Sequence, residues 1–324
     1  MNPVAILLAS YNGSDFLVQQ LNSIAVQDEC AWVLYARDDG SSDHSLTMLE
    51  ACAKRDARFH LVSDSLGNLG AGNNFAALIK LDALASHPYI AFSDQDDVWR
   101  QDKLSMQIDL LRNMEQQFPE SPLLVHSDMQ VVDAALNQIS PSFMEYQGIQ
   151  HEVSKPLKVL LAQNFVTGCT MMVNRKLLDI ALPIPEDALM HDWWLALCAT
   201  VFGHMGYIDE PLVKYRQHGG NEVGAKHFND FLNPISGGWR TRWQEGKNNL
   251  FQTMKQAQAL AERIREYDPS NPHLPMVEAY AALQYDSPMR RIKKIKRLGI
   301  HAQRSARHML LFSRLLLSQK VDHE

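Results

Sequence analysis

The stretch Tyr89-Ile90-Ala91-Phe92-Ser93-Asp94-Gln95-Asp96-Asp97 decides the fold, because a short apolar run passes directly into three carboxylates. Such a run reads as a buried strand, and ligands in open α/β sheets bind at the carboxyl ends of strands. Three carboxylates within four residues repel one another unless solvent, a base or a cation offsets them. Hard oxygen ligands of this kind suit Mg²⁺ or Mn²⁺, and Mg²⁺ takes its remaining ligands from water and substrate phosphates. A nucleotide diphosphate would complete that shell. Taken alone, the cluster also fits, less well, an acidic loop with a helix cap.

Outward from it, the first two hundred residues alternate apolar runs with amphipathic stretches. This is the pattern of an α/β fold with a mainly parallel central sheet flanked by helices. Val4 to Ala9, Trp32 to Ala36, Phe59 to Val62, Leu123 to His126 and Thr170 to Val173 read as further strands. Ser14 or Asp15 is placed to cap a helix whose apolar face is Leu17, Leu21 and Ile24. Leu104, Ile108 and Leu111 mark another helix, and Arg175 to Ile180 one more. Near residue 220 the pattern changes. From Gly237 onward Trp239, Trp243, Leu250 and Met254 begin a helical extension interrupted at Pro269, Pro272, Pro275 and Pro288. The expected division is a catalytic α/β domain over 1–220 and a helical C-terminal region over 221–324.

With 46% apolar and 21% charged residues among 324, the chain is long enough for a large core. Cys30, Cys52, Cys169 and Cys198 form no C-x-x-C pair and point to neither a zinc site nor a disulfide framework. A reducing, cytoplasmic setting is the expectation. The opening MNPVAILLAS lacks a basic leader, and no stretch approaches the roughly 20 apolar residues of a membrane span. The formal net charge of −6 conceals an asymmetry, since Ser287 to Val321 holds ten Lys or Arg and no Asp or Glu. That segment suits contact with an anionic bilayer, and so a peripheral position on the inner face of the cytoplasmic membrane. It equally suits a helix that packs its leucines inward and leaves a basic face in water. The acidic remainder would repel phosphates, so nucleic acid is not expected as a partner.

Asp38-Asp39-Gly40-Ser41-Ser42-Asp43 follows the second strand. There a carboxylate can accept the ring N–H of uracil or thymine, while Gly40 permits a tight turn. By itself this motif is more plainly an acidic turn before a helix cap. The turn from Asn68 to Asn74 can direct backbone N–H groups and amides at a diphosphate on a helix N-terminus.

Taken in order, ASYNG (Ala9 to Gly13), DDGSSD (Asp38 to Asp43), NLGAGNNF (Asn68 to Phe75) and SDQDDVW (Ser93 to Trp99) resemble glycosyltransferase family 2. GCTMMVNRKLL (Gly168 to Leu178), HDWW (His191 to Trp194) and YRQHGGN (Tyr215 to Asn221) extend the resemblance over about the first 220 residues. These later motifs look like the bacterial rhamnosyltransferase-type branch. The resemblance implies a GT-A fold and an inverting, metal-dependent transfer from a nucleotide-diphosphate sugar. Its leading donor is dTDP-rhamnose, with UDP sugars open. The acceptor it implies is a saccharide, free or lipid-linked, in the synthesis of a bacterial surface polysaccharide such as O-antigen or capsule.

The same resemblance assigns the donor to Ser10, Tyr11, Asn12, Asp39, Asn68, Asn74, Asp94 and Gln95, with Asp39 at the base and Asp94 near the ribose or metal. It assigns the metal to Asp96, Asp94 and His218, with Asp97 in support, and the catalytic base to Asp192. Many relatives carry Arg immediately before the Asn of the third motif, where Asn73 stands here, which leaves that loop's diphosphate contacts open. An acceptor hydroxyl must lose its proton as it attacks the anomeric carbon, and a carboxylate such as Asp192 can take it. Lys103, Arg216 or His218 can help to offset the charge of the departing diphosphate. Without the resemblance, His191 and Asp192 would more readily cap a helix, with Trp193 and Trp194 in the core.

Two rivals remain. A sugar nucleotidyltransferase shares the sheet and the metal, but its glycine-rich, Arg-containing loop is replaced here by Ser10-Tyr11-Asn12-Gly13. A catalytically silent carbohydrate- or nucleotide-binding module is opposed by the presence of Asp96 and Asp192.

Overall fold

The computed structural model describes residues 3–28, 31–219 and 239–317. Cys30, the Gly220-Asn221 end of YRQHGGN, Gly237 and the tail beyond Leu317 lie outside them, as does the side chain of Trp239. The chain forms two compact units. One comprises Met1–Phe143, Val166–Pro183 and Gly203–Ala225; the other comprises Met144–Phe165, Ile184–Phe202 and Lys226–Glu324. The helical unit thus draws two segments from before residue 220 in addition to the expected C-terminal region.

The strands are β1 (Val4–Ser10), β2 (Trp32–Asp38), β3 (Phe59–Val62), β4 (Tyr89–Ser93), β5 (Val98–Trp99), β6 (Leu123–Val132), β7 (Gln138–Ser140), β8 (Met172–Asn174) and β9 (His204–Arg216). The helices before residue 220 are α1 (Leu17–Ala25), α2 (Ser45–Arg55), α3 (Ala71–Ile79), α4 (Lys103–Gln117), α5 (Phe143–Gln147), α6 (Pro156–Leu160), α7 (Arg175–Ala181) and α8 (His191–Phe202). After it come α9 (Trp239–Tyr267), α10 (Leu274–Ala281), α11 (Pro288–Leu298) and α12 (Ser305–Leu317).

In the first unit the sheet order is β3-β2-β1-β4-β8-β6-β9-β5, with β7 paired to β6. The half that carries the motifs, β3-β2-β1-β4, is parallel throughout. Beyond it β8 runs antiparallel to β4 and β6, while β9 runs parallel to β6. Val4 to Leu8 are all buried, as expected of a parallel strand covered on both faces. Ser10 stands opposite Asp38, and Leu8 opposite Ser93. The register therefore brings the ends of β1, β2 and β4 to one edge of the sheet.

Several local details differ from the sequence reading. Neither Ser14 nor Asp15 caps α1: Phe16 and Leu17 both donate their N–H to the Gly13 carbonyl, and the Ser14 N–H goes to Asp43. Strand β6 continues to Val132, and Thr170 lies in a 3₁₀ turn ahead of β8. The longest strand, β9, was not expected. Gly206 and Pro211 interrupt its apolar pattern, and its register against β6 shifts around Asp128.

In the helical unit, α8 is buried at nine positions from His191 to Val201, with Trp194 fully enclosed. Leu250, Met254, Ala257, Leu260 and Ile264 give α9 one buried stripe, with the three- and four-residue spacing of a helix. Pro275 and Pro288 open α10 and α11, where a missing N–H breaks no helical bond. Leu311 and Leu315 of α12 are buried. Among the described residues no helix is long and apolar enough to cross a membrane.

Candidate active site

Three loops converge at the ends of β1, β2 and β4. Gln95 ties the first to the last: its Oε1 accepts from the Tyr11 N–H at 2.8 Å and from Ser10 Oγ at 3.1 Å, and its Nε2 donates to the Tyr11 carbonyl at 2.8 Å. Asn12 ties the first to the second, donating its N–H to Ser41 Oγ and accepting from the Ser42 N–H, both at 2.8 Å. Asp38 closes its own turn by accepting from Ser41. Ser10, Asn12 and Gln95 therefore order the site, while the Tyr11 ring remains 49% exposed.

Asp39 is 1% exposed. Its carboxylate accepts from Arg37 Nη1 at 2.5 Å, from the Leu69 N–H through both oxygens and from the Gly70 N–H at 2.8 Å. Two backbone donors expected to face a diphosphate are thus engaged by Asp39 instead. Gly70 precedes α3 with φ +76°, a conformation that favours glycine. Asn68 donates to the Asp39 carbonyl at 3.0 Å, and Asn74, buried, accepts from Arg37 at 3.1 Å. Arg37 uses all five of its N–H groups, since Asp64 and the Gly67 carbonyl take the remaining three. The sequence reading missed Arg37; its signal was a lone arginine at the end of an apolar strand.

Asp94 and Asp96 are half-buried, and Asp97 is fully buried. Asp96 Oδ2 lies 2.8 Å from His218 Nε2, joining residues 122 apart in sequence. Burial pushes the Asp97 carboxyl well above the usual carboxylate range, and the charges of Asp96 and Asp94 push it further. Cys169, also missed as a site residue, presents its sulfur to Asp94 and Asp97, the three ligand atoms all within 4.8 Å of one another. Burial raises this thiol too.

Two sets of groups can therefore be weighed as a cation site. The inner set of Asp94, Asp97 and Cys169 contains a thiol and a carboxyl whose burial favours their neutral forms, poor donors for a hard ion. The outer set is Asp96 and His218, 2.8 Å apart, with Asp94 two positions before Asp96 in sequence, and it offers part-exposed carboxylates and an imidazole. This set fits Mg²⁺ or Mn²⁺, and a cation there would offset the repulsion that Asp97 registers.

Arg216 is 1% exposed and staples the acidic loop from below. Its N–H donates to Asp97 at 3.3 Å, Nε to the Asp96 carbonyl at 2.8 Å, and Nη2 to Gln19. Lys103 is fully buried; it donates to Gln107 at 2.9 Å and lies 3.8 Å from the Trp99 ring centroid. Burial lowers its pKa to about 7, against the opposing influence of Cys169 and Asp97. Arg216 thus holds the loop from within, Lys103 packs against Trp99, and both are buried where the sequence suggested cations that face a ligand.

Asp192 belongs to the helical unit, in the first turn of α8. It is 9% exposed, and its Oδ1 accepts from the Trp193 N–H at 2.5 Å and from Asn164 at 3.4 Å. Trp193 Nε1 donates to the Leu160 carbonyl at 2.6 Å. The neighbouring His191 is buried, which drops its pKa to about 3 and keeps it neutral.

Residues 5–179 match the family described as Glycosyl transferase family 2. The chain is 30% identical over 237 residues to the dTDP-rhamnosyl transferase RfbG of Shigella flexneri, covering 67% of this chain and 74% of that one. It is 28% identical over 177 residues to the Escherichia coli UDP-Glc:alpha-D-GlcNAc-diphosphoundecaprenol beta-1,3-glucosyltransferase WfgD, covering 54% and 62%. Among solved structures, S. aureus TarS 1-349 in complex with UDP-GlcNAc aligns over 97% of this chain and 88% of its own, with a TM-score of 0.54 at 16% identity. The mannosyltransferase PcManGT of Pyrobaculum calidifontis, in complex with GDP-Man and Mn²⁺, aligns over 92% and 74% with a TM-score of 0.55 at 15% identity. These likenesses fit the GT-A arrangement of the sheet, and the chain belongs to glycosyltransferase family 2 and is a glycosyltransferase.

Proposed function

We propose that this chain is an inverting glycosyltransferase that moves rhamnose from dTDP-rhamnose to a saccharide acceptor in the synthesis of a bacterial surface polysaccharide, O-antigen or capsule. The observation that carries the reading is the convergence of the β1, β2 and β4 loops on Asp94 and Asp96, with His218 brought to Asp96 from the end of β9. The choice of sugar rests on the similarity to RfbG. A UDP-linked donor is the second reading, favoured by the similarity to WfgD and by the fold shared with TarS.

The Tyr11 ring offers an open face to the base. Asp39 shapes the base pocket by holding Leu69 and Gly70, each of its oxygens accepting two hydrogen bonds from within the chain. Asp94, Asp96 and His218 would hold Mg²⁺ or Mn²⁺, which when bound stabilises charge on the departing diphosphate as a Lewis acid. Asp192 takes the proton of the acceptor hydroxyl as its oxygen bonds to the anomeric carbon and the bond to the diphosphate breaks. A single displacement of this kind inverts the anomeric centre and needs no covalent intermediate. The acceptor is a saccharide, and the similarity to WfgD supports a lipid-linked one.

Calorimetry with dTDP-, UDP- and GDP-linked sugars, in Mn²⁺ or Mg²⁺ and then in EDTA, tests this reading. Metal-dependent binding of dTDP-rhamnose is expected. Preferential binding of a UDP sugar would overturn the assigned donor, and binding unchanged in EDTA would overturn the metal.

A further inference from the structure

Helices α11 and α12 of the helical unit carry a surface that the transfer chemistry does not use. At 100° per residue, Met289, Arg290, Lys293, Lys296 and Arg297 share an arc of about 120° on α11, and these are the exposed positions of that helix. The opposite side is fixed. Arg291 is fully buried and donates to the Leu283 and Gln284 carbonyls, and Ile295 is buried beside it. Lys294 pairs with Asp286 at 2.5 Å. Four cations therefore face outward, and no Asp or Glu occurs between Ser287 and Leu317. Among the described residues none of the four takes part in an ion pair.

On α12, burial of Leu311 and Leu315 leaves a second apolar stripe outside. Met309 is 66% exposed and Leu316 44%, with the half-buried Phe312 between them at helical spacing, and Leu317 at the end of the helix is 66% exposed. Lys296 Nζ lies 5.6 Å from the Phe312 ring centroid, which sets the cationic arc beside that stripe. Met289, 71% exposed, stands within the arc itself.

We infer that α11 and α12 form a docking face for an anionic lipid bilayer, with headgroup phosphates on Arg290, Lys293, Lys296 and Arg297 and the side chains of Met309, Phe312 and Leu316 entering the acyl boundary. Charge complementarity selects this occupant. A second copy would bring like charges together, and a soluble polyanion has no use for exposed Met and Leu beside the cations. Each Lys or Arg near such a surface contributes about fivefold in partitioning. The face adds a membrane partner to the transfer reading above and is independent of which sugar is moved.

The test is sedimentation of the full chain with phosphatidylcholine vesicles, with and without phosphatidylglycerol. Binding only to the anionic vesicles, weakened by salt, is expected. Reversal of three charges (R290E, K293E and R297E together) should lower the partition coefficient by more than about a hundredfold, the loss of the three attractions alone accounting for that factor. The pair M309S and L316S should lower it as well, with donor affinity and thermal midpoint unchanged in both variants. Equal binding to neutral vesicles, no binding at all, or unaltered binding by the charge-reversed chain would overturn the inference. So would heparin binding that depends on the cations but not on Met309 and Leu316, or a dimer in sedimentation equilibrium that M309S and L316S dissolve. Loss of vesicle binding with donor binding intact removes this inference alone, whereas failure to bind any nucleotide sugar removes the transfer reading alone.

Discussion

Replacing Arg37 by Met should destabilise the protein by about 3–5 kcal/mol, the usual cost of breaking a buried ion pair from one side. Arg37 and Asp39 are 2% and 1% exposed and pair directly. Methionine has similar volume, so little of the loss comes from a cavity; the charge of Asp39 is left buried with only the Leu69 and Gly70 N–H groups. Asp64, 27% exposed, regains water and contributes less. Adding Asp39→Leu should recover much of the loss, because no uncompensated charge then remains. Urea denaturation with an unchanged m-value measures both variants. A loss below about 1 kcal/mol in Arg37→Met, or strict additivity in the double variant, would refute the reasoning. Acid provides a second reading. The hydrogen bond from Arg37 holds the Asp64 carboxyl below its ordinary value of 3.8. The contribution of Asp64 is therefore present above that value and lost as pH falls through the lower folded value, so the gap between wild type and Arg37→Met should narrow in strong acid.

Asp192→Asn should lower turnover by about a hundredfold or more while donor affinity stays near wild type in calorimetry; wild-type turnover would exclude Asp192 as the base. Asp96→Ala should weaken donor binding in Mn²⁺ and leave the residual affinity in EDTA unchanged, and equal weakening in both would remove Asp96 from the metal site. In Gly13→Ala the new Cβ would stand 2.2 Å from Gln95 Oε1. Displacing that side chain releases Tyr11 from the acidic loop, so donor affinity should fall with little change in thermal midpoint. In Gly203→Ala the clash is with backbone, 1.8 Å from the Pro122 carbonyl oxygen, and a stability loss of about 2 kcal/mol is expected from chemical denaturation.

The four motif strands β1 to β4 were legible within a residue or two; in β1 and β4 burial on both faces writes an apolar run into local sequence, and β2 and β3 keep buried apolar residues on at least one face. The acidic loop was legible for a similar reason, since Asp94 to Asp97 directly follow such a run. The division of labour inside the site was not. Asp39 accepts from residues 30 and 31 positions later, Gln95 reaches back 84 positions to Tyr11, and His218 meets Asp96 across 122. No local pattern encodes such pairings, so Arg37 and Cys169 went unassigned and Lys103 and Arg216 were expected to face a ligand. Strand β9 escaped because Gly206, Pro211 and the shifted register around Asp128 erase its alternation, and β6 supplies what its own pattern lacks. The sequence by itself determined the motif strands β1 to β4 and the loops that carry the clustered carboxylates, because side-chain periodicity is a local property. Tertiary structure alone decided which partners those carboxylates take and how deeply each is buried, because burial and hydrogen-bond partners depend on residues far away along the chain.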